Sequence, residues 1–321
     1  GEPCGDRTGV AWTDTSTGSY TVYGLPPGIY YVNTENNGQS NYVNEWWADT
    51  ESSFSCSDAE SITISDASVS GKDFQLDMGY SISGTVYKAD GVAPVTDASI
   101  EINVEQGEPC GNSTEVTWSN ITSTGSYTVH GLPPGTYYLT TDIDNESNYQ
   151  NYIEEWWAGT SSIRECSNAG AIVLTDSSVT GKDFQLDMGY SISGTVYKAN
   201  GATPVTDAVI EINVIQDDDP CYWDDWVNGD EIKDVRTSNG SYTVHGLLPG
   251  TYYVQAQLDE DAVPIEVNYV SEWWAGTGSV HLSGCSAAEP GTIDDASVSG
   301  RDFQLDVGYS ISGTMYKADG T

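Results

Sequence analysis

The sequence predicts an all-β protein built from tandem antiparallel β-sandwich modules in a linear array. Two observations lead to this fold class. The segment Gly-Tyr-Ser-Ile-Ser-Gly-Thr begins at Gly79, Gly189 and Gly308, so the chain repeats after 110 and 119 residues (189 − 79 and 308 − 189). Long internal repeats of this kind indicate an array of like modules. Between the copies, short alternating segments separated by turn residues indicate strands packed as two sheets.

The repeats define the expected domains. Residues 1–4 match residues 107–110, so the chain is expected to begin inside a module, as a window of a longer array. We expect a truncated module over 1–78 (repeat 1), complete modules over 79–188 (repeat 2) and 189–307 (repeat 3), and the first strand of a further module over 308–321 (repeat 4). A module of about 110 residues is long enough to bury its own core.

Strand positions follow from the period of the apolar residues. Residues 99–105 alternate strictly, with Ile100, Ile102 and Val104 on one face, as is typical of a half-buried strand. Repeat 3 has the same pattern at Ile210, Ile212 and Val214. The last strand of each repeat is expected at Phe74/Leu76, Phe184/Leu186 and Phe303/Leu305.

A proline-glycine turn separates two further strands. In residues 125–139 the turn is Leu-Pro-Pro-Gly, and the inward-facing side chains are expected to be Tyr127, Val129, Tyr137 and Leu139. In repeat 3, Leu248 replaces the first proline but Pro249 and Gly250 remain. This dipeptide predicts a type II turn, which favours Pro at its second position and Gly at its third.

Three motifs carry a resemblance to a known family. They are Ser-Ile-Ser-Gly-Thr-Val-Tyr at 81–87, Gly-Ser-Tyr-Thr-Val-x-Gly-Leu-Pro-Pro-Gly-Thr-Tyr, and Gly-Lys-Asp-Phe-Gln-Leu. Over essentially its whole length the chain resembles carboxypeptidase regulatory-like repeats, within the transthyretin-like and Cna-B-like sandwich group of prokaryotic surface proteins. The resemblance implies a seven- or eight-stranded, Ig-like sandwich that serves as a stalk, spacer or accessory domain, usually without catalysis.

The resemblance also raises an isopeptide crosslink, since some related surface domains join a Lys to an Asn. Lys88 and Lys198 are the candidate lysines. The last strands offer glutamine where asparagine would be needed, so we expect no such bond; the glutamines are Gln75, Gln185 and Gln304.

Six cysteines occupy two positions of the module. Cys4, Cys110 and Cys221 share one position, and Cys56, Cys166 and Cys285 share the other. One pair in each module predicts the disulfides Cys4–Cys56, Cys110–Cys166 and Cys221–Cys285. Metal binding is the alternative, but two thiols without a paired histidine or a CxxC spacing make a poor zinc site. Disulfides predict an extracellular protein.

Composition limits the classes of partner. Ten basic and 48 acidic residues give a net charge of −38, which disfavours nucleic acid and anionic membranes. Divalent cations and cationic partners are favoured, although acidic residues also simply maintain solubility. No apolar stretch approaches the roughly 18 residues of a membrane-spanning helix. A signal peptide and an initiating Met are absent, so a processed or excised chain is expected.

Very short junctions connect the repeats. The three junctions are residues 77–80, 187–190 and 306–309. Flexible linkers are longer and richer in Gly, Ser or Pro, so neighbouring repeats are expected to touch and to form a stiff rod. Repeat 4 could also complete a module of another chain by strand donation, although a continuous array cut at this point is the favoured interpretation.

A Glu-Trp-Trp element recurs at residues 45–47, 155–157 and 272–274, each time three residues after a Tyr. Adjacent strand residues point to opposite faces, so at most one Trp of each pair should enter the core. The other Trp is expected to pack on a neighbouring module or chain, and stacking on sugar rings is the alternative. The contact aromatics are Trp46, Trp47, Trp156, Trp157, Trp273 and Trp274.

Two further kinds of site are candidates. A stretch of 15 residues in repeat 3 contains seven carboxylates: Asp217, Asp218, Asp219, Asp224, Asp225, Asp230 and Glu231. Clustered carboxylates can bind calcium, and a solvated acidic loop is the favoured alternative. Asn-x-Ser/Thr sequons for glycosylation begin at Asn112, Asn120, Asn145 and Asn239.

No catalytic constellation is recognisable. His130 and His245 share one module position, but Tyr23 replaces them in repeat 1, and His281 stands alone. We therefore predict a non-enzymatic structural component of an extracellular fibre or cell-surface stalk. It requires no cofactor, with calcium as a candidate ligand, and its partners are copies of itself, adjacent modules and glycans. The alternatives are a carbohydrate-binding adhesin that uses exposed Trp and Tyr, and an accessory segment of a larger secreted enzyme.

Overall fold

The computed structural model describes residues 3–4, 9–15, 17–35, 40–49, 51–111, 113–144, 150–216, 231–259, 262, 267–276 and 278–314, and only the backbone at 231, 232, 282 and 283. Contacts divide the chain into two compact units. The first unit comprises Gly1–Pro94, Glu101–Asp142 and Glu155–Gln185, and the second comprises Val95–Ile100, Ile143–Glu154 and Leu186–Thr321. Each unit therefore contains segments of more than one sequence repeat.

Strands dominate both units, which confirms the predicted all-β class. Repeats 1 and 2 contain β1 (Gly28–Tyr30), β2 (Ile62–Ile64), β3 (Tyr80–Tyr87), β4 (Ile100–Gln106), β5 (Thr114–Asn120), β6 (Ser126–Leu132), β7 (Gly135–Ile143), β8 (Trp156–Trp157), β9 (Ser162–Ile163), β10 (Ile172–Leu174) and β11 (Phe184–Gln185). Repeat 3 contains β12 (Tyr190–Lys198), β13 (Ile210–Ile215), β14 (Glu231–Thr237), β15 (Ser241–Leu247), β16 (Gly250–Leu258), β17 (Glu272–Trp274), β18 (Ser279–His281), β19 (Gly291–Ile293) and β20 (Phe303–Leu305). Short 3-10 helices occur at Cys56–Asp58, Cys166–Asn168 and Leu282–Ala287.

Repeat 3 is a two-sheet sandwich. One sheet has the order β15-β12-β20, and the other has the order β14-β13-β16-β17-β18, with β19 also paired to β16. One core cluster combines side chains of both sheets, such as Ile192 and Phe303 from the first and Ile212 and Val254 from the second. The β12–β20 pair is parallel. The prediction of purely antiparallel sheets is therefore wrong at this pair. The first and last strands of the repeat lie side by side and run in the same direction.

Repeat 2 has the same topology. Its sheets have the orders β11-β3-β6 and β5-β4-β7-β8-β9, with β10 paired to β7. The predicted core positions are confirmed, since at most 2% of each side chain is exposed at Ile100, Ile102, Val104, Tyr127, Val129, Tyr137 and Leu139. The strands on either side of the Leu-Pro-Pro-Gly turn belong to different sheets, so this turn carries the chain from one sheet to the other.

Repeat 1 departs from the predicted pattern. Phe74 and Leu76 are only half-buried, and they lie outside any strand, whereas the equivalent Phe184 and Leu186 are fully buried. The prediction of a last strand at 74–76 is therefore wrong. In repeats 2 and 3 this strand pairs with the first strand of the same repeat, and no described residues of repeat 1 take that position.

The type II turn prediction is also wrong. Gly131 and Gly246, which precede the turn, have positive φ angles, but Gly135 and Gly250 do not. Each of the latter two begins a strand and is paired with a neighbouring strand, so its backbone is extended. A Cβ on Gly135 would lie 2.8 Å from Gln106 Nε2, the end of a flexible side chain that can move aside.

Candidate functional site: the repeat junctions

Each junction is hydrogen-bonded to the repeat that precedes it. Antiparallel bridges join Tyr42 to Met78, Tyr152 to Met188 and Tyr269 to Val307. At the second junction, the Ile153 N–H donates to the Asp187 carbonyl at 3.1 Å, and the Gly189 N–H donates to the Asn151 carbonyl at 2.7 Å. These four residues belong to one unit. The junction residues are therefore paired with backbone groups of the preceding repeat and are not a free linker.

At the first and third junctions, a buried glutamate accepts a hydrogen bond from the junction backbone. The first residue of each Glu-Trp-Trp element is 1% exposed, and we refer to Glu45, Glu155 and Glu272 as the junction carboxylates. The Asp77 N–H donates to Glu45 Oε1 at 3.0 Å, and the Asp306 N–H donates to Glu272 Oε1 at 3.1 Å. A serine hydroxyl also donates to two of the three junction carboxylates: Ser162 to Glu155 and Ser279 to Glu272. Hydrogen bonds to a buried carboxylate are stronger than those between neutral groups, so this contact fixes the junction backbone.

Two junction glycines, Gly79 and Gly189, lie against the backbone of the repeat that each of them begins. A Cβ on Gly79 would lie 2.5 Å from the Gly131 carbonyl carbon, and a Cβ on Gly189 would lie 2.6 Å from the Leu247 oxygen. Neither contact can relax by a side-chain rotation, because the obstructing atoms belong to the backbone. At Gly308, by contrast, the nearest atom is the side-chain Cγ2 of Val270 at 3.1 Å, and the nearest backbone atom lies at 3.4 Å.

Gly189→Ala is expected to lower the free energy of unfolding of repeat 3 by about 1–3 kcal/mol, because the added methyl group must displace backbone. Native-state hydrogen exchange, measured by mass spectrometry on peptides of repeat 3, would report this loss. Gly308→Ala is the matched control, and it is expected to change stability by about 0.5 kcal/mol or less. Equal losses in the two variants would contradict the close backbone contact.

The second Trp of each pair is buried. Exposed fractions are 3% for Trp47, 6% for Trp157 and 4% for Trp274. Trp46 and Trp156 are half-buried, but Trp273 is only 1% exposed. The prediction that at most one Trp of a pair is buried is therefore wrong for repeat 3. All three residues of β17 are buried, so both faces of this strand are covered.

The Gly-Lys-Asp-Phe motif closes the sandwich over the buried Trp. The Lys182 ammonium lies 4.4 Å from the centroid of the Trp157 ring, within cation–π range. The carbonyl of Lys182 accepts a 2.5 Å hydrogen bond from the Tyr127 hydroxyl, whose pKa is raised by burial. Asp183 Oδ1 accepts from the Thr85 N–H at 2.9 Å. The motif therefore ties the last strand to the first strand of the same repeat.

The same closure recurs in the other repeats. The Arg301 guanidinium carbon lies 3.9 Å from the Trp274 ring centroid, and the Tyr242 hydroxyl donates to the Arg301 carbonyl at 2.5 Å. In repeat 1, Lys72 covers Trp47 at 3.7 Å from the ring centroid. A cation at this position is thus a constant part of the module.

In the second unit, polar contacts join the end of repeat 2 to strands of repeat 3. Lys233 Nζ on β14 lies 2.7 Å from Glu154 Oε1, and its side chain is 5% exposed. His245 Nδ1 on β15 lies 2.7 Å from Asn151 Oδ1, and burial lowers the pKa of this histidine. These contacts lie beside the junction bridge and add side-chain links to its backbone hydrogen bonds.

The first unit has a cleft at the corresponding junction, with a volume of about 410 Å³. Trp46, Phe54 and Thr117 are among its lining residues. By alignment of the repeats, Thr117 stands at the position of Lys233. The shorter side chain leaves space, and the Thr117 hydroxyl is buried without a hydrogen-bond partner among the described residues.

Two of the three predicted disulfides are present. Cys4 is bonded to Cys56, and Cys110 is bonded to Cys166. Cys285 is also disulfide-bonded, but its predicted partner Cys221 lies outside the described residues.

The predicted calcium cluster lies outside the described residues at all positions except Glu231, of which only the backbone is described. Among the sequons, Asn112 and Asn145 also lie outside them. Asn120 and Asn239 are exposed, and Asn239 Oδ1 accepts a hydrogen bond from the Ser241 N–H at 2.9 Å. Calcium binding and glycosylation remain predictions.

The candidate isopeptide lysine of repeat 3 forms an ion pair. Lys198 Nζ lies 2.7 Å from Asp207 Oδ2, and the Tyr269 hydroxyl donates to Asp207 Oδ1 at 3.0 Å. The hydrogen bond between Lys198 and Asp207 raises the pKa of the lysine and lowers that of the aspartate. The amide of Gln304 donates to the Ala199 carbonyl at 2.6 Å.

Two sets of residues in this site had no predicted role. They are the junction carboxylates and the cations Lys72, Lys182 and Arg301. Their signal in the sequence is recurrence, because each set occupies one position in every repeat. Recurrence alone does not distinguish a buried carboxylate from a solvated one.

Comparison with known proteins finds solved structures of low sequence identity. No family model matches the chain, so the motif-based resemblance remains a prediction, and no curated protein matches it. Among solved structures, a streptococcal ancillary pilin is 16% identical, with coverage of 89% of this chain and 77% of that chain and a TM-score of 0.26. The minor pilin GBS52 of Streptococcus agalactiae is 12% identical, with coverage of 74% and 100% and a TM-score of 0.26. The shaft pilin SpaA of Lactobacillus rhamnosus GG is 11% identical, with coverage of 73% and 99% and a TM-score of 0.26. The sandwich fold rests on the sheets and the core described above rather than on these matches.

Proposed function

We propose that this chain is a structural component of an extracellular fibre or cell-surface stalk, whose repeats are joined end to end through their junctions. The observation that carries the proposal is a backbone hydrogen bond at each of the three junctions, in which the first residue of one repeat donates to the repeat before it: Gly79 to Asn41, Gly189 to Asn151 and Gly308 to Asn268. A free linker would leave these backbone groups to water. Here they are paired, and a junction carboxylate accepts an additional N–H at the first and third junctions.

The covalent chemistry of the chain supports an extracellular location. Disulfides persist in oxidising compartments, and two link distant residues of the described chain. A net charge of −38 favours an exposed, hydrated surface. In the part of the chain that the structure describes, no helix is long and apolar enough to cross a membrane.

The adhesin alternative is less well supported. It required one Trp of each pair to be exposed as a platform for sugar rings. The second Trp is buried in every repeat, Trp273 is buried as well, and Trp46 and Trp156 are half-buried. The packing of Lys72, Lys182 and Arg301 on the second Trp of each pair explains the recurrence of that Trp without a carbohydrate ligand.

Immunoelectron microscopy of the native source tests the proposal. Antibodies against this chain are expected to label filaments or stalks on the cell surface, at regular intervals along their length. Label confined to free protein in the medium would contradict a fibre or stalk.

Small-angle scattering of the purified chain should also show repeats that keep fixed relative orientations, and independently swivelling repeats would contradict the proposed role of the junctions.

A further inference from the structure

We propose that Glu272, His281 and Asp306 bind a divalent transition-metal ion such as Zn²⁺ at the third junction. One potential ligand atom of each residue lies within 4.8 Å of the others. The three residues belong to the second unit. The inference does not depend on the proposed fibre, because the ligands come from a single unit of a single chain.

The sheet register brings the first two ligands together. Glu272 and His281 are directly opposite each other in the antiparallel β17–β18 pair. Side chains at such positions project from the same face of a sheet and are in contact distance. Asp306 follows β20, and its N–H donates to Glu272 Oε1. Backbone hydrogen bonds therefore position all three residues.

The distances between the three candidate ligand atoms fit a tetrahedrally coordinated ion. His281 Nε2 lies 3.2 Å from Asp306 Oδ2 and 3.6 Å from Glu272 Oε1. Zinc binds imidazole nitrogen and carboxylate oxygen at about 2.0–2.2 Å, so two ligand atoms of a tetrahedral site are separated by about 3.3–3.6 Å. An ion could therefore enter between these atoms with little rearrangement.

The ligand set favours a transition metal over calcium. A histidine nitrogen suits zinc and its neighbours, whereas calcium prefers oxygen ligands alone. Two carboxylates and one neutral imidazole leave a fourth position for water, as in open zinc sites.

The surroundings combine a fixed ligand with two accessible ones. The Glu272 side chain is 2% exposed, and Ser279 O–H and Asp306 N–H hold its two oxygens. Outer hydrogen bonds of this kind orient metal ligands and strengthen binding. The side chains of His281 and Asp306 are 53% and 58% exposed, so an ion can reach the site from solvent.

The other repeats provide an internal comparison. They retain a buried glutamate and a nearby serine, but the position of His281 is Arg164 in repeat 2 and Phe54 in repeat 1. Arginine carries a permanent positive charge and does not bind metals, and phenylalanine has no ligand atom. The proposed site is therefore specific to repeat 3 among the three repeats that have this element.

Metal titration of the full chain tests the inference. After treatment with a chelator, the protein is titrated with Co²⁺ in excess Mg²⁺, which occupies non-specific carboxylate sites. One equivalent should bind and give the visible absorption of a four-coordinate cobalt ion, and Zn²⁺ should displace it. Of the three histidines in the chain, only the ring resonances of His281 should shift when Zn²⁺ is added.

His281→Arg, which introduces the residue of repeat 2, is expected to lower the affinity more than about 100-fold, beyond the usual effect of an outer partner. Asp306→Asn should also weaken binding while it retains the backbone N–H, and this variant decides the question if His281→Arg does not fold. His130→Gln is the control and should bind as the wild type does. The absence of a cobalt spectrum, or equal affinities for wild type and the variants at His281 and Asp306, would overturn the inference.

Discussion

Replacement of Cys110 and Cys166 together by alanine is expected to lower the free energy of unfolding of repeat 2 by about 4 kcal/mol. The disulfide spans 56 residues of sequence. In the chain-entropy model, a crosslink of this span restricts the unfolded chain by about 4 kcal/mol. That loss is a large fraction of the stability of a typical domain, so repeat 2 should melt well before repeat 3.

Hydrogen exchange measured on separate peptides of each repeat would locate the loss. The double variant at Cys4 and Cys56 is the matched control, because it removes the equivalent crosslink from repeat 1. If exchange in repeat 2 were unchanged in the Cys110/Cys166 variant, the crosslink would make no net contribution to the stability of that repeat. If all repeats lost protection together, the repeats would not unfold as separate modules.

Trp157→Ala is expected to cost repeat 2 about 3–5 kcal/mol, the usual loss when a large aromatic side chain is removed from a core. The Trp157 side chain is 6% exposed, and Lys182 covers its ring. Its indole N–H has no hydrogen-bond partner among the described residues, so the loss is one of packing. Chemical denaturation, monitored by hydrogen exchange on peptides of repeat 2, measures this loss of unfolding free energy.

Trp156→Ala is the matched control on the neighbouring residue. Trp156 is half-buried, so a smaller loss of about 1–2 kcal/mol is expected. The same two variants test the adhesin alternative on a glycan array. Binding by the wild type that is lost in the folded Trp156→Ala variant would favour a carbohydrate site and contradict a purely structural role for the pair.

The sequence was sufficient to predict the strands whose residues alternate. Ile100, Ile102 and Val104 are fully buried because a period of two puts every second side chain on the core face. The pairs Cys4–Cys56 and Cys110–Cys166 could also be predicted, because one pair in each repeat gives every copy of the module the same crosslink. Both predictions rest on local periodicity and repetition, which are visible without coordinates.

The remaining features depend on contacts that are distant in sequence. Whether Glu272 is solvated or buried depends on Ser279 and on the junction after β20. Trp273 is buried because both faces of β17 are covered, which strand alternation cannot reveal. Gly135 resembles a turn glycine in sequence, but pairing with β10 makes its backbone extended. Long-range pairing therefore overrides the local preference at each of these positions.

The parallel alignment of β12 and β20 has a mechanical consequence. In repeat 3, Val196 is paired with Phe303 and Lys198 with Leu305. Because the two strands run in the same direction, tension applied where the chain enters β12 and leaves β20 would slide them lengthwise past each other. The hydrogen bonds between them would then bear the load simultaneously rather than open one at a time, which is the arrangement that best resists pulling.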